Sequence, residues 1–184
     1  MAKQQINQLE LIETLLNKSY KDDSKVLSEK EKLANGEKFE MNRIIVCHNI
    51  DFLLYRLDPN KIKLFPYFNN VSGLKKVCDY ILFAKEGEYL YILLIELKKG
   101  KESASKQLNA ATAFSEYILV AARRVGINII ENIKTIKIRI SEERAKKRNQ
   151  KTKSKKLSFD ENGILNYDHP TAFRLREIFE VEFD

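Results

Sequence analysis

Asp79, Glu96 and Lys98 are the residues of this chain whose types and spacing could do chemistry. Two carboxylates can hold a hard divalent cation such as Mg²⁺, which takes oxygen ligands and keeps several of its waters. An amine beside that cation can handle one of the waters, and the set suits hydrolysis of a phosphodiester. Soft Cys/His ligands would suit zinc instead, and the paired spacings of a zinc site are absent around Cys47-His48 and Cys78-Asp79.

A hairpin must position the three. Val77-Cys78-Asp79-Tyr80-Ile81-Leu82-Phe83 is one apolar run, and Tyr89-Leu90-Tyr91-Ile92-Leu93-Leu94-Ile95 is the next. Residues 84–88 between them carry charge and Gly87, which predicts a turn. Strand side chains alternate, so Glu96 and Lys98 point the same way. A turn centred near Gly87 pairs positions whose numbers sum to about 174. Glu96 then faces Cys78, one residue from Asp79. Charged strand ends of this kind also occur in ordinary solvated hairpins.

Cys78-Asp79, then Ile95-Glu96-Leu97-Lys98, then a helix carrying Gln107, resembles the PD-(D/E)xK nuclease superfamily, the restriction-endonuclease-like fold. The resemblance covers roughly residues 76–117, and Cys78 stands where the family name has proline. It implies that Asp79 and Glu96 bind Mg²⁺, or Mn²⁺, with the Leu97 carbonyl as a further ligand. Lys98 would position or deprotonate the attacking water, and Gln107 would orient the site. Relatives often add a Glu from an early helix. Glu31 is the first candidate here, with Glu29 and Glu37 behind it. The resemblance also implies a setting in restriction, phage defence, repair or mobile-element biology, and a homodimer or a partner subunit.

The chain has 184 residues, 43% hydrophobic and 32% charged, which predicts one globular domain over 1–184. The longest apolar run is too short to span a bilayer, and the N-terminus carries no signal-peptide apolar block. Cys47 and Cys78 sit in apolar runs and read as buried thiols, so the expected compartment is cytoplasmic.

Along the chain, apolar spacing predicts an amphipathic helix over 4–16 and a second, capped at Asp22-Asp23-Ser24, over 22–33. Residues 44–57 read as strand–turn–strand with His48-Asn49 at the turn, although Val46, Ile50, Leu53, Leu54 and Leu57 also fit a helical face, and 61–68 reads as a short edge strand. After the hairpin, Ser103 or Ser105 caps a helix that Gly126 ends, and Ile136-Lys137-Ile138-Arg139-Ile140 alternates as a strand with one wet face. Residues 156–167 predict strand, turn and strand, and 172–179 a last helix or strand. His169-Pro170 reads as a turn. The class expected is α/β: a central mixed sheet flanked by helices, in a restriction-endonuclease-like three-layer core.

Residues 144–156 carry eight cations and no acid: Arg144, Lys146, Lys147, Arg148, Lys151, Lys153, Lys155 and Lys156. With a net charge of +7, this segment suits phosphate contact with a nucleic acid, DNA above all, of a salt-sensitive and sequence-blind kind. The expectation is an Mg²⁺-dependent endonuclease acting on DNA. The alternative is a catalytically inactive nuclease-like subunit that binds nucleic acid or protein within a larger complex.

Overall fold

The computed structural model describes residues 7–32, 36, 38–57, 69, 71, 75–100, 102–127, 129, 132–141, 157–169 and 171–181, with the side chains of Glu31 and Lys32 outside that description. The elements are α1 (Gln8–Leu15), a 3₁₀ turn (Lys18–Tyr20), β1 (Val26–Lys32), β2 (Lys38–Val46), β3 (Phe52–Arg56), β4 (Tyr80–Glu86), β5 (Tyr89–Lys98), α2 (Ser105–Arg124), β6 (Ile133–Ser141), β7 (Ile164–Tyr167), β8 (Ala172–Arg174) and α3 (Leu175–Phe179). The protein is mixed α/β.

Five strands form the main sheet in the order β3-β4-β5-β6-β7. β3, β4 and β5 run antiparallel to their neighbours, and β5, β6 and β7 run parallel. The parallel step from β5 to β6 needs a crossover, which α2 supplies. Leu9 and Ile12 of α1, with Leu108, Ala111, Ile118 and Ala122 of α2, cover one face over Ile81, Phe83, Leu90, Ile92 and Leu94. Leu82, Leu93, Ile95 and Ile138 of the opposite face pack against Leu27, Phe39, Met41, Ile45 and Phe173 of a second sheet, ordered β1-β2-β8. Burial on both faces explains why β4 and β5 are continuously apolar rather than alternating. Helices α1 and α2 therefore cover one face of the main sheet, and the other is covered by α3 together with a second sheet that the sequence reading did not contain.

The expected helix over 22–33 is strand β1. Asp22 does cap, but its carboxylate accepts the Ser24 N–H (2.9 Å) in a tight turn, and the chain then runs extended. β1 has little apolar content of its own. It is held by β2, whose alternating burial has period 2, with Lys30 paired to Glu40 across the strands (2.9 Å).

The hairpin forms as expected, with a tighter turn at Gly87-Glu88 and a register sum of 175. Gly87 takes φ 58°, a left-handed value that glycine allows at no steric cost. His48 and Asn49 both have positive φ between β2 and β3, which supports the strand–turn–strand reading of 44–57. Of the strand expected before the 160–163 turn, only the bridge from Phe159 to Leu165 forms. The last segment is both a short strand and a short helix, β8 and α3. Cys78 is buried, whereas Cys47 is only partly so. The edge strand expected over 61–68 lies outside the described residues. Among the described residues no helix is long and apolar enough to cross a membrane.

Candidate active site

The site lies where the paired core of β4 and β5 runs out. Tyr80 pairs with Ile95, so Asp79, one residue before β4, is level with Glu96. The shift of one from the sequence estimate removes the offset at Cys78. Backbone and side chains then interlock. The Asp79 N–H donates to Glu96 Oε2 (3.1 Å), and the Leu97 N–H donates to Asp79 Oδ2 (2.7 Å). Each carboxylate thus satisfies a strand-end N–H on the other chain segment, where the regular ladder has stopped. The Asp79 carbonyl accepts the Leu57 N–H just beyond β3 (2.8 Å), which fixes Asp79 from its other side.

Glu96 is 3% exposed, and its Oε1 meets Lys98 Nζ at 2.7 Å. Alternation along β5 puts Leu94, Glu96 and Lys98 on the helix-covered face in succession, so the apolar floor under α2 turns charged at its end. Cys78 is fully buried beside the pair, and its Sγ donates to the Tyr80 carbonyl (3.1 Å). Burial, with the Glu96 and Asp79 carboxylates, pushes that thiol well above its ordinary range. It is a packing group in its neutral form.

Burial also pushes Asp79 well above the usual carboxylate range, and the neighbouring Glu96 carboxylate pushes further. The Leu97 N–H and the Lys98 ammonium pull the other way without prevailing. Burial raises Glu96 too, against the pull of Lys98 and the Asp79 N–H. For Lys98, burial works to lower the pKa, but contact with Glu96 overrides it and holds the amine protonated above its ordinary range. One ammonium serves two acids, Glu96 buried and Asp79 half-buried, so with both ionised the site carries more negative charge than it neutralises.

A third acid contributes to that field. Glu29 of β1 raises the pKa of both Asp79 and Glu96. The buried Tyr80, next to Asp79, carries the link. Its hydroxyl accepts the Ser28 N–H (3.1 Å) and donates to the Ser28 carbonyl (3.0 Å), which ties β1 to the start of β4. Arg56 lies over the Tyr80 ring and approaches Glu29 Oε2 at 3.7 Å. Glu29 thus reaches the site from a strand of the second sheet and not from an early helix. Glu31 is on the same strand, and its side chain and Glu37 lie outside the described residues.

Gln107 is in the first turn of α2, half-buried, and no hydrogen bond joins it to Asp79, Glu96 or Lys98. Arg144, Lys146, Lys147, Arg148, Lys151, Lys153, Lys155 and Lys156 lie outside the described residues. The strand β6 ends at Ser141, whose Cα partner on β5 is Lys98. Sequence reasoning passed over Arg139, the Cα partner of Glu96. Its alternation with Ile138 and Ile140 was visible, but only the parallel pairing of β5 with β6 sets it at this row.

No family model, no curated protein and no solved structure matches the chain. What the site could do therefore rests on its own chemistry. Among the described residues no three His, Cys, Asp or Glu side chains converge closely enough to hold a metal ion by themselves. The donors at hand are the Asp79 and Glu96 carboxylates and the Leu97 carbonyl. They are hard oxygens, and the surplus negative charge around them fits a divalent cation of the Mg²⁺ or Mn²⁺ type.

Proposed function

We propose that this protein is a metal-dependent nuclease that hydrolyses DNA phosphodiester bonds. The observation that carries the reading is the Asp79–Glu96 pair, locked by reciprocal backbone hydrogen bonds, with Glu96 buried, Asp79 half-buried, and Glu96 in contact with a protonated Lys98. Burying two acids beside one amine disfavours their charged forms, and residues whose pKa is shifted in this way cluster at functional sites. Within the main sheet, the antiparallel strands β3, β4 and β5 followed by the crossover helix α2 and the parallel strand β6 support the finer reading of a restriction-endonuclease-like core within the mixed α/β fold, with β1 and β2 inserted between α1 and β3.

Asp79 and Glu96 would hold Mg²⁺ or Mn²⁺, with the Leu97 carbonyl as a further oxygen donor and the Glu29 charge adding to the negative field. The bound cation supplies positive charge at the phosphate and a water of lowered pKa. The chain's own groups do the rest. The backbone lock keeps both carboxylates in one orientation. Lys98 Nζ, protonated and held on Glu96, donates hydrogen bonds to the attacking water or to a phosphate oxygen and offsets the charge that builds there. Its raised pKa favours this positioning part over that of a free base. The cationic segment 144–156, which follows β6 in the chain, would meet backbone phosphates of the DNA.

The test is nicking of supercoiled plasmid with Mg²⁺ or Mn²⁺ and with EDTA. Metal-dependent nicking that Lys98→Ala abolishes, with DNA binding mostly kept, is the expected result. Nicking by Lys98→Ala at the wild-type rate would show the amine to have no part in the reaction. The alternative, a nuclease-like binding subunit without turnover, draws on the same Lys98–Glu96 pair, because an amine closed on its acid can also be a structural ion pair. It requires DNA binding with no metal requirement and no nicking under any divalent ion.

A further inference from the structure

Arg139 stands in the row of the acids. On the parallel strands β5 and β6 its Cα is the partner of Glu96, and on β7 its partner is Asn166. An arginine beside a buried glutamate would ordinarily pair with it. Here Glu96 is taken by Lys98, and the guanidinium is spent elsewhere. Nε donates to the Glu102 carbonyl (2.9 Å), Nη1 to Asn166 Oδ1 (3.1 Å), and Nη2 to the Gly100 carbonyl. Two of its three acceptors are backbone carbonyls of the link that joins Lys98 to α2. That link turns at Gly100, with φ 61°, and enters α2 with no side-chain cap on its N-cap residue, Ala104. The arginine fork ties it to the sheet, and at its far end the buried Ala104 packs into the core under α2.

We infer that Arg139 is a positioning residue for Lys98: its guanidinium clamps the Gly100 and Glu102 carbonyls to the sheet and so fixes the chain that carries the amine. The inference rests on the nuclease reading for its catalytic part and on the hydrogen bonds alone for the clamp. Arg139 needs no contact with substrate to act this way. Three acceptors in different directions match the planar fork of arginine, and a lysine could reach only one of them well. Lys137, the previous cation on the same strand face, is a built-in control. Its Nζ donates to Asn162 O (2.8 Å) and Asn109 Oδ1 (3.3 Å), away from this link.

The experiment uses the full chain and two readouts, Mn²⁺-dependent cleavage of a DNA duplex and amide hydrogen exchange over residues 98–105. Arg139→Gln should lower kcat by roughly 10- to 100-fold, as misplacement of a reacting group by about 1 Å does. KM for DNA should stay within about twofold, since no substrate contact is lost. Exchange over 98–105 should speed up in the same variant. Arg139→Lys should restore only part of either, and Lys137→Gln should leave both unchanged. A risen KM with kcat kept would make Arg139 a phosphate contact and overturn the inference. So would unchanged exchange, or equal losses in Lys137→Gln. If Arg139→Gln does not fold, Asn166→Ala removes one corner of the clamp and should shift both readouts the same way by less. No shift in that variant overturns the inference as well. A wild-type chain that cleaves nothing under Mn²⁺ would overturn the nuclease reading and the catalytic part with it, while exchange alone would still decide whether the clamp exists.

Discussion

At the residue scale, the site is a place where the fold is under electrostatic load. An acid with a raised pKa binds its proton more tightly folded than unfolded. Its stabilising share is fully present below the ordinary carboxylate range and is lost as pH rises through the raised folded value. Asp79 and Glu96 both shift in this direction, burial first, so metal-free wild-type protein should lose stability as pH climbs from about 4 toward neutrality. Asp79→Asn removes the charge and keeps an oxygen for the Leu97 N–H. In EDTA at neutral pH it should be more stable than wild type, by on the order of 1 kcal/mol, with a flatter pH profile in the same range. A lower Tm for this variant at neutral pH would mean that the carboxylate is not under load. Added Mg²⁺ should raise the wild-type Tm in proportion to ln(1 + [Mg²⁺]/Kd), and Asp79→Asn should respond much less. Thermal melts over a metal series read both effects. These residues were legible in the sequence because they combine unusual chemistry with strand ends. Their pairing was legible to within one residue, because a turn's length, which sets the register, depends on local φ choices at Gly87-Glu88 that composition does not settle.

At the element scale, legibility followed the strength of local signal. The β4–β5 hairpin and α2 were visible because long apolar runs and 3.6-residue spacing report burial directly. β1 was not, because Ser28-Glu29-Lys30-Glu31-Lys32 has charged residues with good helix propensity, and its strand form comes from pairing with β2. With β1 misread, the arrival of Glu29 from a second sheet could not be foreseen. The element that brings it there is Tyr80, whose single hydroxyl serves both backbone groups of Ser28. Tyr80→Phe leaves the packing and strands those two groups, at a cost of about 1–3 kcal/mol. The midpoint of urea unfolding should fall accordingly with little change in slope, and exchange should quicken across β1 more than across β5. If β1 exchange were unchanged, the tie between the two sheets would have to lie elsewhere. On the nuclease reading, cleavage by Tyr80→Phe should also weaken, in the same direction as cleavage by Glu29→Gln, since the first loosens the strand that carries Glu29 and the second removes its charge.

At the scale of the whole molecule, charge is divided by place. Acids collect in the buried site, and the densest run of cations, residues 144–156, begins three residues past Ser141, the partner of Lys98 on the neighbouring strand. Each phosphate neutralised by a lysine or arginine releases condensed counterions, so the logarithm of duplex affinity should fall linearly with the logarithm of salt. On the nuclease reading, replacing Lys151, Lys153, Lys155 and Lys156 by serine would remove four such contacts. The magnitude of the slope should then drop by about 3–4, and affinity should fall by a similar factor for unrelated duplex sequences. The chemistry is elsewhere in the chain, so kcat at saturating DNA and low salt should stay near wild type while KM rises. Titrations at several salt concentrations, run beside cleavage assays, separate the two roles. A slope equal to that of the wild type would move DNA contact away from this segment and onto the cations of the folded core.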